Sequence, residues 1–184
     1  MTKLTICMYG AASNNIDSIY ITETEKLGEE IAQRHHRLIY GGGATGLMGA
    51  CARGAARYEG TIIGVVPGFM NELEPINANC TEIIHTETMS ERKQIMEDNA
   101  DAFIIVPGGV GTLDEFFQIL TLTELKRKFA PIVLFNINGF YDDLISFLNF
   151  GIGKGFIREN VREICHVCDT APEALNYIEH EFSS

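Results

Sequence analysis

The chain has 184 residues, the length of one compact domain, and 46% of them are hydrophobic against 21% charged, which excludes a disordered chain and allows a full core. Lys and Arg total 14 against 25 Asp and Glu, so the net charge is -11. That balance argues against a general nucleic-acid or anionic-membrane surface, and any anionic ligand must be gripped locally. No apolar run approaches the roughly 18 residues that a membrane span needs, and the first ten residues show no long apolar region or small-residue cleavage site. The expectation is a cytoplasmic protein. Cys7, Cys51, Cys80, Cys165 and Cys168 are an odd set, scattered through a chain large enough to fold without staples, and free thiols are expected.

Short runs of Val, Ile and Leu alternate with longer amphipathic stretches, the pattern of repeated βαβ units. Residues 4–9 predict the first strand and 16–35 its helix. A strand at 37–40, a helix at 46–58 and a strand at 61–66 follow, the last closed by Pro67-Gly68. After a loop come a short strand at 82–85, a helix at 90–99 and a strand at 102–106 apolar enough to be buried on both faces. A helix at 112–128, a strand at 132–136, a helix at 141–150, a last strand at 163–167 and a helix at 172–182 complete the order. The fold expected is α/β: one doubly wound domain over residues 1–184, with a mostly parallel, Rossmann-like sheet flanked by helices. Its ligands should lie beyond the carboxyl ends of the strands.

Three segments at those ends carry chemistry. Gly41-Gly42-Gly43-Ala44-Thr45-Gly46 follows a strand and opens a helix, in the form G-x-G-x-x-G. The acidic residue that would hold a ribose at the end of the next strand is missing, since that strand ends Val65-Val66-Pro67-Gly68, so a nicotinamide cofactor is disfavoured. The alternative is that these glycines only let a helix and a strand approach closely. The second segment, Pro107-Gly108-Gly109-Val110-Gly111-Thr112-Leu113-Asp114-Glu115, frees backbone N-H groups to face an oxyanion at a helix start. No Gly-Lys-Ser/Thr follows, so nucleoside triphosphate hydrolysis is disfavoured. Thr112-x-x-Glu115 also fits a capping box, and Glu115 is therefore either a capping residue or a carboxylate placed to stabilise a sugar cation. In the third segment, Ser90 is a candidate N-cap and Arg92-Lys93 fall in the first helical turn, where cations oppose the helix dipole. They are either a solvated basic pair or a grip for a phosphate or purine.

Tyr40-Gly-Gly-Gly-Ala-Thr-Gly-Leu-Met-Gly49, Arg92-Lys93 and Pro107-Gly-Gly-Val-Gly-Thr-x-x-Glu115 together resemble the LONELY GUY (LOG) family, cytokinin riboside 5′-monophosphate phosphoribohydrolases long labelled lysine decarboxylases. The likeness runs through Ile63-Gly64-Val65-Val66-Pro67, Asp101-Ala102-Phe103 and Asn138-Gly139-Phe140-Tyr141-Asp142. It implies hydrolysis of the N-glycosidic bond of a nucleoside 5′-monophosphate to free base and ribose 5-phosphate, with no metal or organic cofactor. Arg92 and Glu115 match the family's catalytic pair. Glu74, Lys93, Gly109, Val110, Gly111, Thr112, Leu113, Asp114 and Thr121 match positions that line the substrate site. The resemblance also implies a homodimer using the helix that carries Phe116, Phe117, Ile119, Leu120, Leu122 and Leu125, with no nucleic-acid or membrane partner. Ser90, Leu122 and Glu124 stand where plant members often have His, Trp and Gln, so an N6-substituted adenosine monophosphate, AMP and other purine monophosphates are all compatible substrates. A non-catalytic nucleotide-binding module or carrier of the same fold is the alternative function.

Other features are discounted. Cys165-His166-Val167-Cys168 lacks a second ligand pair, and on a strand its cysteines would point to opposite faces. His35-His36 reads as a favourable charge at a helix C-terminus or a solvated turn. Ser13 or Asn14 either touches a nucleotide or caps the helix that follows, and the cap is favoured.

Overall fold

The alternation of apolar and amphipathic runs becomes, in the computed structural model, one parallel sheet with helices on both faces; residues 2–69 and 75–183 are described. In chain order the elements are β1 (Thr5–Tyr9), α1 (Ser18–Gln33), β2 (Arg37–Tyr40), α2 (Gly46–Arg57), β3 (Thr61–Pro67), β4 (Glu82–Thr86), α3 (Met89–Asn99), β5 (Ala102–Ile105), α4 (Val110–Glu124), β6 (Ile132–Phe135), α5 (Asp142–Gly153), α6 (Val161–Ile164), β7 (Cys165–Cys168) and α7 (Ala171–Glu181). The strand order is β4-β3-β2-β1-β5-β6-β7, and each of the six neighbouring pairs is parallel. The winding direction reverses between β1 and β5, so a crevice opens there between the loops that leave their carboxyl ends.

The period of two in each strand builds two cores. Ile6, Met8, Leu38, Tyr40, Ile104, Val133 and Phe135 face α1, α2 and α7. Cys7, Tyr9, Ile39, Phe103, Ile105, Ile132 and Leu134 face the other helices with Met96, Phe116 and Ile119. β5 serves both and is fully buried, as its unbroken apolar run requires. Cys165 and Cys168 fall in opposite cores as free thiols, and burial pushes them up to about 12 and about 11, which keeps both inert.

Several local expectations need correction. Thr88, not Ser90, caps α3: its Oγ1 accepts from the Glu91 N-H at 3.1 Å, while Glu91 accepts from the Glu87 N-H at 2.8 Å. The last strand starts at Cys165, because Val161–Ile164 form a helical turn that sends Val161 and Ile164 into the second core. Neither Ser13 nor Asn14 caps α1, whose N-cap is Asp17. His36 is neither solvated nor a helix-end cation: it is 2% exposed, its Nδ1 accepts from the Leu4 N-H at 3.2 Å, and Nε2 meets Glu179 at 3.0 Å. The ring ties the start of the sheet to α7. No helix among the described residues is long and apolar enough to cross a membrane.

α1 and α2 cross at backbone distance through two glycines. A Cβ on Gly28 would collide with the Cys51 carbonyl, and one on Gly54 with the Glu25 carbonyl. Alanine is the better helix former by about 1 kcal/mol, yet here it must push the helices apart. Gly28→Ala and Gly54→Ala are each expected to destabilise by about 1–3 kcal/mol in urea unfolding.

Candidate active site

The two glycine-rich loops open into helices whose N-termini are in opposite states. At α2 the Gly46 N-H donates to Asn14 Oδ1 at 2.8 Å, and the Leu47 and Met48 N-H groups reach the Ala11 carbonyl at 2.8 and 3.3 Å. Protein acceptors fill this helix start, so the G-x-G-x-x-G match holds no pyrophosphate there. At α4 the N-cap is Gly109, and among the described residues no protein acceptor faces the N-H groups of Val110, Gly111 and Thr112. The partial positive charge of a 15-residue helix is thus open to an anion.

Glycine in this loop has separable roles. Gly108 is required by close packing, since a Cβ there would overlap the Thr112 side chain. At Gly109 and Gly111 a Cβ would meet no atom of the described residues within 4 Å, chain neighbours and the helix's own backbone aside. Nothing in the fold demands glycine at these two positions, so what they spare is room in the cleft. The loop is braced from behind by a residue that sequence inspection noted only for resemblance: the Tyr141 hydroxyl donates to the Val106 carbonyl at 2.7 Å. Asn136 fixes that tyrosine, accepting from its backbone N-H at 2.7 Å and donating to Asp142 at 2.8 Å.

The first glycine loop works through Arg92. A Cβ on Gly41 would collide with the Arg92 guanidinium, so the glycine lets that side chain pass. Arg92 is 8% exposed, its Nε donates to the Val65 carbonyl at 3.1 Å, and its Nη1 stands 4.0 Å from Glu115 Oε1. The solvated-pair reading is therefore wrong for Arg92, and Lys93 is half-buried, bound to Asp114 at 2.9 Å across the mouth of the cleft.

Glu115 does not cap α4. The helix starts five residues earlier at Val110, Thr112 lies inside its first turn, and among the described residues Glu115 accepts no hydrogen bond. Burial pushes its carboxyl up to about 7; Arg92 and Lys93 pull it down, and Asp114 and Glu97 push it up. A buried carboxyl poised near neutrality beside a guanidinium is a common property of reactive sites.

These groups share a cleft of about 390 Å³ at the switch between β1 and β5, lined by residues 10–13, Met48, Met89, Arg92, Lys93, Gly109, Gly111, Thr112, Asp114 and Glu115. Gly10, Ala11, Ala12, Met48 and Met89 escaped sequence reasoning, since small and apolar residues carry no chemical signal. Ser13 lines the cleft as well. Val110 is 86% exposed at the start of α4, and Leu113 packs against the second core with its N-H donated to the Gly109 carbonyl at 3.0 Å, so it does not line the cleft. Thr121 donates to the Phe117 carbonyl at 2.7 Å, six residues along the helix beyond Glu115, and does not line this cleft. Glu74 lies outside the described residues.

Fold and cleft define a Rossmann-like α/β protein with an open helix start at its switch point. The family described as "Possible lysine decarboxylase" matches residues 48–178. The cytokinin riboside 5′-monophosphate phosphoribohydrolase of Mycobacterium tuberculosis is 39% identical over 171 residues, covering 93% of this chain and 91% of that one. The cytokinin riboside 5′-monophosphate phosphoribohydrolase LOG of Oryza sativa subsp. japonica is 35% identical over 174 residues, covering 95% and 72%. Among solved structures, the molybdenum cofactor binding protein from Rippkaea orientalis aligns over 99% of both chains with a TM-score of 0.75 at 22% identity, a likeness of fold. The molybdenum cofactor carrier protein of Chlamydomonas reinhardtii does so over 100% of both with a TM-score of 0.74 at 21% identity. The chain belongs to the LONELY GUY (LOG) family.

Gly111→Ala separates ligand from fold. It replaces glycine by the best helix former with no steric conflict, so stability should rise by about 0.5–1 kcal/mol in urea unfolding. The same methyl enters the cleft, and binding of AMP by calorimetry should weaken at least about tenfold, about 1.4 kcal/mol.

Proposed function

We propose that the protein hydrolyses the N-glycosidic bond of adenosine 5′-monophosphates, plain or N6-modified, to free base and ribose 5-phosphate. The observation that carries this reading is the meeting of Arg92 and Glu115, 4.0 Å apart, beside the open start of α4 in one cleft. The 5′-phosphate would sit on the N-H groups of Val110, Gly111 and Thr112, with Lys93 released from Asp114 to join it. Met48 and Met89 offer an apolar wall for a flat base. Arg92, held by Val65, would orient the nucleotide and stabilise the departing base, while ionised Glu115 faces the cationic sugar or draws a proton from water. Placement and electrostatics suffice, and the reaction as written needs neither a metal nor an organic cofactor.

A pure nucleotide carrier would need the anion site but not a buried carboxylate beside it. Desolvation of Glu115 disfavours its charged form, and a carboxylate kept there at that cost is explained by chemistry better than by binding. We also propose a homodimer through α4 and α5. Phe116, Ile119 and Leu120 are spent on the core, but Phe117, Leu125, Phe147 and Phe150 remain 37%, 55%, 61% and 63% exposed. A second copy there would lie where Thr121 and Val110 could reach a shared site.

Incubation with AMP and with an N6-substituted analogue, followed by chromatography, should release free base; binding without release would establish the carrier. Glu115→Gln should lower kcat by about 10²–10³. The wild-type rate should rise as pH passes through about 7, where Glu115 ionises. The sign for stability is opposite. A folded pKa raised to about 7 from 4.5 means that stability is fully present below about 4.5 and falls as pH rises towards 7. Glu115→Gln, which has no charge to bury, should therefore gain thermal stability over wild type near pH 8 and not near pH 4.5.

A further inference from the structure

The charged groups that line the cleft cancel in number. Among the described residues they are Arg92, Lys93, Asp114 and Glu115, two cations and two carboxyls. They also stand in pairs: Lys93 Nζ is 2.9 Å from Asp114 Oδ2, and Arg92 Nη1 is 4.0 Å from Glu115 Oε1. The positive field left over for an anion is the start of α4, worth roughly half an elementary charge. The pairs differ in depth. The inner side chains, Arg92 and Glu115, are 9% and 13% exposed, whereas in the outer pair Lys93 is 18% and Asp114 62% exposed. Val110, one helical turn before Asp114 on the same face of α4, is the most exposed residue of the helix start. Asp114 is therefore the carboxylate at the mouth.

We infer that Asp114 is a specificity residue that limits the cleft to a single phosphate: once Lys93 turns to the 5′-phosphate, the Asp114 carboxylate stands uncompensated at the mouth and repels a second one. This rests on the reading that seats the 5′-phosphate at the start of α4. With the ribose towards the inner pair, a further phosphate must extend away from the sugar, outward to where Asp114 stands. It adds about one to two negative charges, and the described lining holds no third cation to meet them. The protein's net charge of -11 works in the same direction. Shape does not supply the exclusion, since the cleft is open to solvent at Asp114 and Val110, and Gly109 and Gly111 leave room on the loop side. Rejection by an unpaired like charge is a known route to selectivity, and here one side chain serves twice: it holds Lys93 ready, then guards the space beyond it.

Asp114→Asn keeps the shape and removes the charge. The probes are formycin 5′-monophosphate and 5′-diphosphate, adenosine analogues whose base is joined to the ribose by a carbon–carbon bond, so binding is read by calorimetry without turnover, in metal-free buffer. The wild-type protein should prefer the monophosphate by about tenfold or more, and Asp114→Asn should narrow that preference at least about fivefold. Asp114→Glu, which keeps the charge, should retain it. Raising salt to about 1 M, where charges are screened within about 3 Å, should narrow the wild-type preference as well. Asp98→Asn removes an equal charge from an exposed site on α3 outside the cleft and should leave the preference unchanged. Equal wild-type affinities for the two probes overturn the inference. So does a preference untouched by Asp114→Asn, including the case in which both probes tighten by one factor, since Asp114 would then only compete for Lys93. If Gly111→Ala fails to weaken the monophosphate, the seating of the phosphate falls and the inference with it; if Gly111→Ala weakens it and the preference still ignores Asp114→Asn, the inference alone fails.

Discussion

The arrangement depends on one constraint: a guanidinium and a carboxylate must be kept together in a place that water barely reaches. Arg92 alone would be an unpaired buried cation, and Glu115 alone a buried anion, each costly by desolvation. Much of the surrounding backbone serves this pair. The Val65 carbonyl at the end of β3 takes the Arg92 Nε-H, Gly41 leaves space for the guanidinium, and the Thr88 cap sets where α3 begins. On the other side, Tyr141 holds the loop from which α4 and Glu115 project. The attraction between the two charges does not fully offset burial, and the carboxyl rests near neutrality instead of in the ordinary carboxylate range.

The same fold makes two helix starts of similar sequence and gives them different duties. The loop after β2 closes its helix with Asn14 and the Ala11 carbonyl, and so becomes scaffold. The loop after β5 leaves its N-H groups without a protein acceptor among the described residues, and so stays open to a ligand. Glycine content is alike in the two, so composition cannot tell them apart. What decides is which neighbouring acceptor the topology brings within reach: β1 lies between β2 and β5, and its following loop leans on α2.

Element order and layer sidedness were legible because they follow from hydrophobic period, which is local. The parallel sheet, the doubly buried β5 and the opposite faces of Cys165 and Cys168 could be read directly. Helix starts could not. Thr112 and Ser90 look like caps, but the caps used are Gly109 and Thr88, because backbone conformation and the loop before each helix choose among nearby candidates. His36 illustrates a longer-range failure: its partners lie 32 and 143 residues away, beyond any local pattern. At the site the charged residues and glycines stood out, whereas Tyr141, Met48 and Met89 matter through contacts that only the fold creates.

The central claim is that one sugar phosphate is shared by the α4 start and the Arg92–Glu115 pair. A crystal structure of Glu115→Gln with AMP bound tests it most directly. The 5′-phosphate is expected within hydrogen-bond distance of the Gly111 and Thr112 N-H groups, with the ribose between residues 92 and 115. A phosphate seated at the start of α2, or a ribose out of reach of either side chain, would contradict it.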